Sequence, residues 1–441
     1  MARSLRAALM ALPLLTVGLS AQPAAARPPQ GAATPRTEAD TADLALFEKR
    51  AALSREIGAT EMVMTDGLPA TNWELDPGDP YPAWFVHHAS LLKIFPAGPV
   101  TPFIDAAYVG RAQAVVSARC AILARYGLSG VWRANEPAVL PEAFFTAHPE
   151  LRGPRIDHPA RSRKTHFAPN VDRSETLAMY RGSMQALLKA CPQIETFTFV
   201  TTDAGSGFDW TPGLYPGANG AVDVRDRPIS DRVAGFMTNL QQAARDAGHD
   251  VRISITQIAP RQWMIPTFAP DVLENTVRKL PRGLAVNGRE GPDGRAFDTG
   301  GAAAAGNPFY PIVGLVAPSF APTPKPVTAR RRIDLGDNET MDFNYRLLKA
   351  TRGSPMSSIA QRAAALRVFA AGEVGEAQAD SLMEAWSALD DVKRYLDVLD
   401  FGGMLRFGHV LNRWVTRPMV PYPLELTEAE KADYRPFLLQ A

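Results

Sequence analysis

Only two cysteines, Cys120 and Cys191, occur in 441 residues, too few for a disulfide scaffold or a four-thiolate metal site. Charge of one sign is also missing. The 47 Lys and Arg are matched by 46 Asp and Glu, and a chain so balanced has no long-range field to gather nucleic acid or an anionic membrane. Lysine is scarce, with nine of those 47 basic residues. H-E-x-x-H, G-x-S-x-G and the Walker motif are absent, and no G-x-G-x-x-G opens a helix after the first strand pattern. Zincin, α/β-hydrolase, P-loop and dinucleotide chemistry therefore lack their sequence signatures, and neither a metal nor a cofactor is expected. Beyond the N-terminal segment, no apolar run is long enough to cross a bilayer.

What is present is an ordinary globular composition, 46% hydrophobic and 21% charged, with 33 Gly and 38 Pro that imply many loops. The length fits two or three domains, or one barrel plus an appendage. Arg3 and Arg6, the apolar stretch Ala7–Leu19 and the small residues Ala24-Ala25-Ala26 follow the order of a cleavable signal peptide over residues 1–26. The mature chain is then expected to be soluble and periplasmic or secreted, with no membrane contact after cleavage. Residues 27–40, rich in Pro, Ala and Thr, read as a disordered leader. Export leaves two readings of Cys120 and Cys191, which fall on two helix patterns: a bond in an oxidising compartment, or two buried thiols. The second is the expectation.

From residue 41 to 355 strand and helix patterns alternate. Helices are expected over 41–58, 104–126, 174–190, 230–247 and 270–280, from apolar residues at helical spacing. Strands are expected at 61–65, 84–88, 129–134, 194–202, 251–258 and 284–286, with weaker ones at Ile312–Val316 and Arg332–Leu335. Eight strands with crossovers fit a (β/α)₈, TIM-like barrel, with a doubly wound open sheet as competitor. Residues 356–441 read as a C-terminal helical appendage, where Leu382, Trp386, Leu389, Val392 and Leu396 form a core-packing stripe.

In such a barrel, chemistry sits where strand ends pass into loops. Two loops are long. One follows the 129–134 strand and opens with Asn135-Glu136-Pro137. The other follows the 194–202 strand and opens with Asp203-Ala204-Gly205, then carries Asp209, Trp210 and Tyr215. Glu136 and Asp203 would share one rim, and two facing carboxylates are what glycosidic cleavage needs: one protonates the leaving oxygen, the other attacks or activates water. Trp132, Trp210 and Tyr215 offer flat faces for sugar rings. Asn135, His87, Asp209, Arg261 and Trp263 complete the expected substrate-binding set, with Arg261 able to grip a carboxylate of an acidic sugar. The polar residues Asn287, Arg289 and Glu290, and Asp337, Asn338 and Glu339, are less specific strand-end candidates.

The runs Asn135-Glu-Pro137, His148-Pro-Glu-Leu-Arg-Gly153, Thr202-Asp-Ala-Gly-Ser-Gly207 with Trp210, Gly213-Leu-Tyr-Pro-Gly217 and Trp414-Val-Thr-Arg-Pro418 resemble a bacterial group of (β/α)₈ glycoside-hydrolase-like proteins. That group is distantly similar to α-glucuronidases and β-hexosaminidases, and the likeness spans roughly residues 60–440. The resemblance implies a carbohydrate substrate and carboxylate catalysis. The adjacent Asp-Glu of β-hexosaminidases is not matched, since Ala204 follows Asp203. The expected function is an exported glycoside hydrolase acting on a polysaccharide or oligosaccharide, with uronic-acid-containing substrates among those expected. The alternative is a non-catalytic carbohydrate-binding protein on the same frame.

Overall fold

The computed structural model describes residues 38–68, 89–157, 164–201, 206–208, 227–256, 258, 271–297, 306–309, 315–321, 332, 338–351, 354 and 357–398. In chain order these form α1 (Glu38–Glu56), β1 (Glu61–Val63), α2 (Leu91–Ile94), α3 (Ala106–Tyr126), β2 (Ser129–Asn135), α4 (Glu142–Ala147), β3 (Arg152–Arg155), β4 (Phe167–Pro169), α5 (Ser174–Ala190) and β5 (Ile194–Val200). There follow α6 (Ile229–Asp246), β6 (Arg252–Thr256), α7 (Val272–Lys279), β7 (Leu284–Val286), β8 (Arg289–Glu290), β9 (Arg295–Ala296), β10 (Gly306–Phe309), β11 (Leu315–Pro318), α8 (Asn338–Ala350), α9 (Ile359–Val374) and α10 (Ala379–Val398).

The protein is mixed α/β, built on one main sheet of order β1-β2-β5-β6-β7-β8-β9. Its first five strands are parallel, each laid beside the one before it, with helices in the crossovers as parallel pairing requires. β8 and β9 turn back antiparallel, so Arg289 and Glu290 belong to a hairpin and do not extend β7. On the other edge, Glu61 of β1 makes an isolated parallel bridge to Arg332. The expected strand at Ile312–Val316 is corrected. Leu315–Pro318 pairs antiparallel with Gly306–Phe309, outside the main sheet. Asn338 and Glu339, read as following the last strand, open helix α8. The strand expected at 84–88 lies outside the described residues.

Local chemistry sets the element ends. Asp105 caps α3, its carboxylate accepting from the amides of Ala107 (2.8 Å) and Tyr108 (3.0 Å). Gly127, at φ 60°, ends the same helix in the left-handed conformation. Along β2 and β5 the side chains alternate. Trp132 and Ala134 pair in register with Phe197 and Phe199 and join the helix-packed core. Arg133 and Asn135 pair with Thr198 and Val200 on the opposite face. The main core fills the space between sheet and helices. A second core gathers Ala317, Phe343, Leu347, Leu366, Phe369 and Trp386, with Phe369 and Trp386 stacked at 5.7 Å, and it draws on residues from both sides of position 355. Of the expected stripe on α10, Trp386 is buried and Leu382 and Leu389 pack on this core, while Val392 is exposed. Among the described residues, no helix is long and apolar enough to cross a membrane.

Cys120 and Cys191 are joined in a disulfide, with Cα atoms 5.5 Å apart. The expectation of two buried thiols is therefore overturned. The cause is topological: Cys120 lies on the helix that leads into β2, Cys191 lies just before β5, and β2 and β5 are paired neighbours. A parallel pairing of that kind draws the two preceding segments together.

Candidate active site

β2 delivers Asn135 and Glu136 to its carboxyl end. The Glu136 amide donates to Val200 O at 3.1 Å and the Asn135 amide to Ala89 O at 3.0 Å, so the strand end is fastened to β5 on one side and to the residues leading into α2 on the other. The Glu136–Pro137 peptide is cis. Asn135 is half-buried.

The Glu136 carboxyl is completely buried, at 0% exposure. Its Oε1 accepts from the Leu91 amide at 2.6 Å. Its Oε2 accepts from the Tyr180 hydroxyl at 2.9 Å, and that hydroxyl in turn accepts from the Ala138 amide at 2.9 Å. Leu91 opens α2 and Tyr180 stands on α5, so the carboxyl is held against the helix layer. Burial pushes it from an ordinary 4.5 up to about 7, opposed by the Leu91 amide, the Tyr180 hydroxyl, the Lys93 ammonium and the Ser90 hydroxyl. Lys93 is also fully buried; loss of hydration lowers it from 10.5 to about 7, and the Glu136 carboxylate works in the other direction. Burial, then the neighbouring carboxylate, raises Tyr180 well above its usual value. A carboxyl and an amine that both change charge near neutrality form one coupled unit.

The stretch after β2 was expected to be irregular and instead folds into α4 and the antiparallel hairpin β3–β4. The His148–Gly153 motif builds this excursion. His148 meets the rings of Phe103 and Phe144. The Arg152 guanidinium lies over Phe145 and Phe167, at 5.2 and 4.6 Å, and pairs with Glu142. Gly153 is packed so closely that a Cβ there would stand 2.6 Å from Ala168 O and from the Pro169 carbonyl carbon. Both are backbone atoms and cannot swing aside. Gly153→Ala is accordingly expected to cost roughly 1–3 kcal/mol, read as a lower denaturant midpoint with an unchanged slope. Asp157, from the next motif, is buried and accepts from both Arg155 Nε (2.6 Å) and Nη2 (2.8 Å), and from the His166 amide (2.9 Å).

Of the sequence-expected site residues, Trp132, Asn135 and Glu136 are thus placed together on β2 and its end. Trp132 has no solvent-exposed face in this state; it is wholly buried and packs on Phe95 at 6.4 Å. His87, Asp203, Asp209, Trp210, Tyr215, Arg261 and Trp263 lie outside the described residues. Sequence reasoning missed Lys93 and Tyr180. Tyr180 is hidden within the apolar face of a helix, but Lys93 left a signal: a single cation inside the apolar run Leu91-Leu92-Lys93-Ile94-Phe95. Among the described residues, no group of three or more His, Cys, Asp or Glu could hold a metal ion.

No protein-family model matches the chain and no curated protein matches its sequence. Among solved structures, the chain is similar to the tandem GH20 catalytic modules of the pneumococcal exo-β-D-N-acetylglucosaminidase, at 10% identity over 56% of this chain and 56% of that one, with a TM-score of 0.28. A GH36 α-galactosidase from Geobacillus stearothermophilus matches at 9% identity over 80% of this chain and 40% of that one, TM-score 0.32. The chitobiase of Flavobacterium johnsoniae matches at 12% identity over 77% and 51%, TM-score 0.36. This chain covers between 40% and 56% of the length of these structures.

Proposed function

We propose that the chain is an exported glycoside hydrolase with its site at the carboxyl ends of the parallel strands. Glu136 acts as general acid, and Asp203, three residues beyond the end of β5, acts as nucleophile or base. The observation that carries this reading is Glu136 itself: an acid at a strand's carboxyl end, kept protonated close to neutrality by burial, is suited to protonating a glycosidic oxygen. Sequential parallel strands with helical crossovers, and the Glu61–Arg332 bridge on the outer edge of β1, support a sheet closing into a (β/α)₈ barrel, the frame on which such sites lie at strand ends. Trp210, Tyr215 and Trp263 would stack on sugar rings, Asn135, His87 and Asp209 would bind hydroxyls, and Arg261 would hold a uronic carboxylate. Export rests on the pattern of residues 1–26. Because Glu136 is sealed in this state, the reading requires sugar binding to part the segment carrying Leu91 and Lys93 from the end of β2.

One observation favours the second reading, a non-catalytic carbohydrate-binding protein. Both Glu136 oxygens already accept hydrogen bonds from within the protein, as an internal anchor's would. The deciding experiment measures reducing ends released from an oligosaccharide panel, including uronic-acid-capped members, by the wild type, Glu136→Gln and Asp203→Asn. Turnover by wild type alone supports the first reading. Saturable sugar binding by calorimetry without released ends supports the second. Turnover that survives both substitutions removes the two assignments.

A further inference from the structure

We propose that Arg133 is a specificity-determining residue: over the polar face of the main sheet, its guanidinium receives an anionic substituent of the sugar, a carboxylate or a sulfate ester. This role rests on the reading that sugar binds at the carboxyl ends of the parallel strands, and it adds the charge of the substrate.

The two faces of the sheet differ. A central parallel strand is ordinarily covered and apolar on both sides. The helix-side face of β2, β5 and β6 keeps that rule, with Trp132, Phe197, Phe199, Ile253 and Ile255 all buried. The opposite face breaks it toward the carboxyl end. There Arg133 stands beside Thr198, and Thr198 beside Ser254, in one cross-strand row. Asn135 and Thr256 flank Val200 in the next row. Paired strands lie about 4.8 Å apart, so the side chains within a row are neighbours. Contact with bulk water does not account for these polar choices. Ser254 is buried, and the Thr198 hydroxyl is buried without a hydrogen-bond partner, a cost that a valine of the same shape avoids. Arg133 supplies the charge. Its side chain is half-exposed, and among the described residues its one ion pair is with Asp66, at 3.9 Å. That separation is beyond hydrogen-bond reach, and such an exposed pair is worth little, so an anion can take the planar fork of donors without breaking a strong contact. The backbone beneath is fixed. The Arg133 amide donates to Thr65 Oγ1 at 3.1 Å. Buried Arg119 of α3 holds the turn after β1, its Nη1 donating to Met64 O at 2.6 Å and to Asp66 O at 2.7 Å. A cation on a rigid strand, set among hydroxyls, has the chemistry of an oxyanion site.

The test measures binding and not turnover. Calorimetry titrates glucuronate, glucose 6-sulfate and glucose into the wild type, Arg133→Gln, Arg133→Met and Arg133→Lys. The wild type is expected to bind at least one of the anionic sugars about 10- to 100-fold more tightly than glucose, and the one it prefers identifies the substituent. The preference should shrink as salt is added. Arg133→Gln is expected to abolish it, and Arg133→Met is a second neutral variant should the first not fold. Arg133→Lys, which keeps the charge without the fork, should retain part of it. A wild type that binds none of the three sugars, a wild type that binds them equally, or a preference undiminished in either folded neutral variant overturns the proposal. Release of reducing ends is followed separately. An anionic preference that depends on Arg133 in a protein that releases no ends retires hydrolysis and keeps the assignment of Arg133. Hydrolysis of neutral oligosaccharides with no preference for the anionic sugars retires Arg133 alone.

Discussion

Glu136→Gln is expected to lose hydrolysis by roughly 10²–10⁴-fold and, in the same molecule, to gain stability over the wild type as the pH rises from about 4.5 to about 7. In the unfolded chain this carboxyl releases its proton near its ordinary 4.5, whereas in the folded protein burial delays release to about 7. Across that window the native state holds a proton that the unfolded state has lost, so rising pH destabilises the wild type by about 1.4 kcal/mol per pH unit. A glutamine has no proton to release. The stability difference should therefore move on the order of 3 kcal/mol in the variant's favour and change little below the window. Lys93 acts in the same direction. The Glu136 carboxylate helps hold its proton in the fold, so without that carboxylate Lys93 becomes neutral at lower pH and the variant gains further. Urea denaturation of both proteins across the window measures this directly. A variant that tracks the wild type, or falls behind it as the pH rises, contradicts the account. Stability gained with activity intact would make Glu136 a buried carboxyl without a catalytic role. Lost activity together with gained stability marks a group retained for chemistry at the expense of the fold.

The alternation of strands and helices was legible because each carries its own period. α3 and α5 were expected at 104–126 and 174–190, and they span Ala106–Tyr126 and Ser174–Ala190. β2, β5, β6 and β7 fell where apolar and β-branched residues gather between Gly and Pro. The later chain was harder to read. Leu315–Pro318 has the apolar character of a barrel strand, yet its partner is Gly306–Phe309, in a stretch so rich in Gly, Ala and Pro that no pattern announced a strand. The hairpin β3–β4 was missed for a similar reason: Arg152-Gly-Pro-Arg155 has no alternation, and its pairing follows from the close backbone approach that Gly153 permits. At the site, position along the strand was legible and side-chain direction was not. The sequence puts Glu136 at the end of β2, but Tyr180 and Leu91 draw its carboxyl toward the helices, and contacts that distant in the chain leave no local signature. The run His148–Gly153 shows the converse. It looks like a functional motif, and its described contacts are packing and ion pairing.

Removing the Cys120–Cys191 bond is expected to cost about 4 kcal/mol of stability. The two residues are 71 positions apart, and in the chain-entropy account a loop of that size withholds about this much freedom from the unfolded ensemble. The native pairing of β2 with β5 does not depend on the bond, because their ladder and the helix packing above it remain. The loss should therefore come mostly from the unfolded state. Cys120→Ala/Cys191→Ala is then predicted to unfold at a lower denaturant concentration and with a steeper slope, since the unbridged chain exposes more surface when it opens. Cavities left at two buried sites would lower the midpoint without steepening the slope, so the slope separates the two causes. Thiol titration of the unfolded, unreduced wild type supplies the companion measurement, and no reactive thiol should be found. Two reactive thiols would restore the expectation of free cysteines. They would also leave the proposed export without the support that a disulfide lends it, because such a bond persists where glutathione and thioredoxin do not keep thiols reduced.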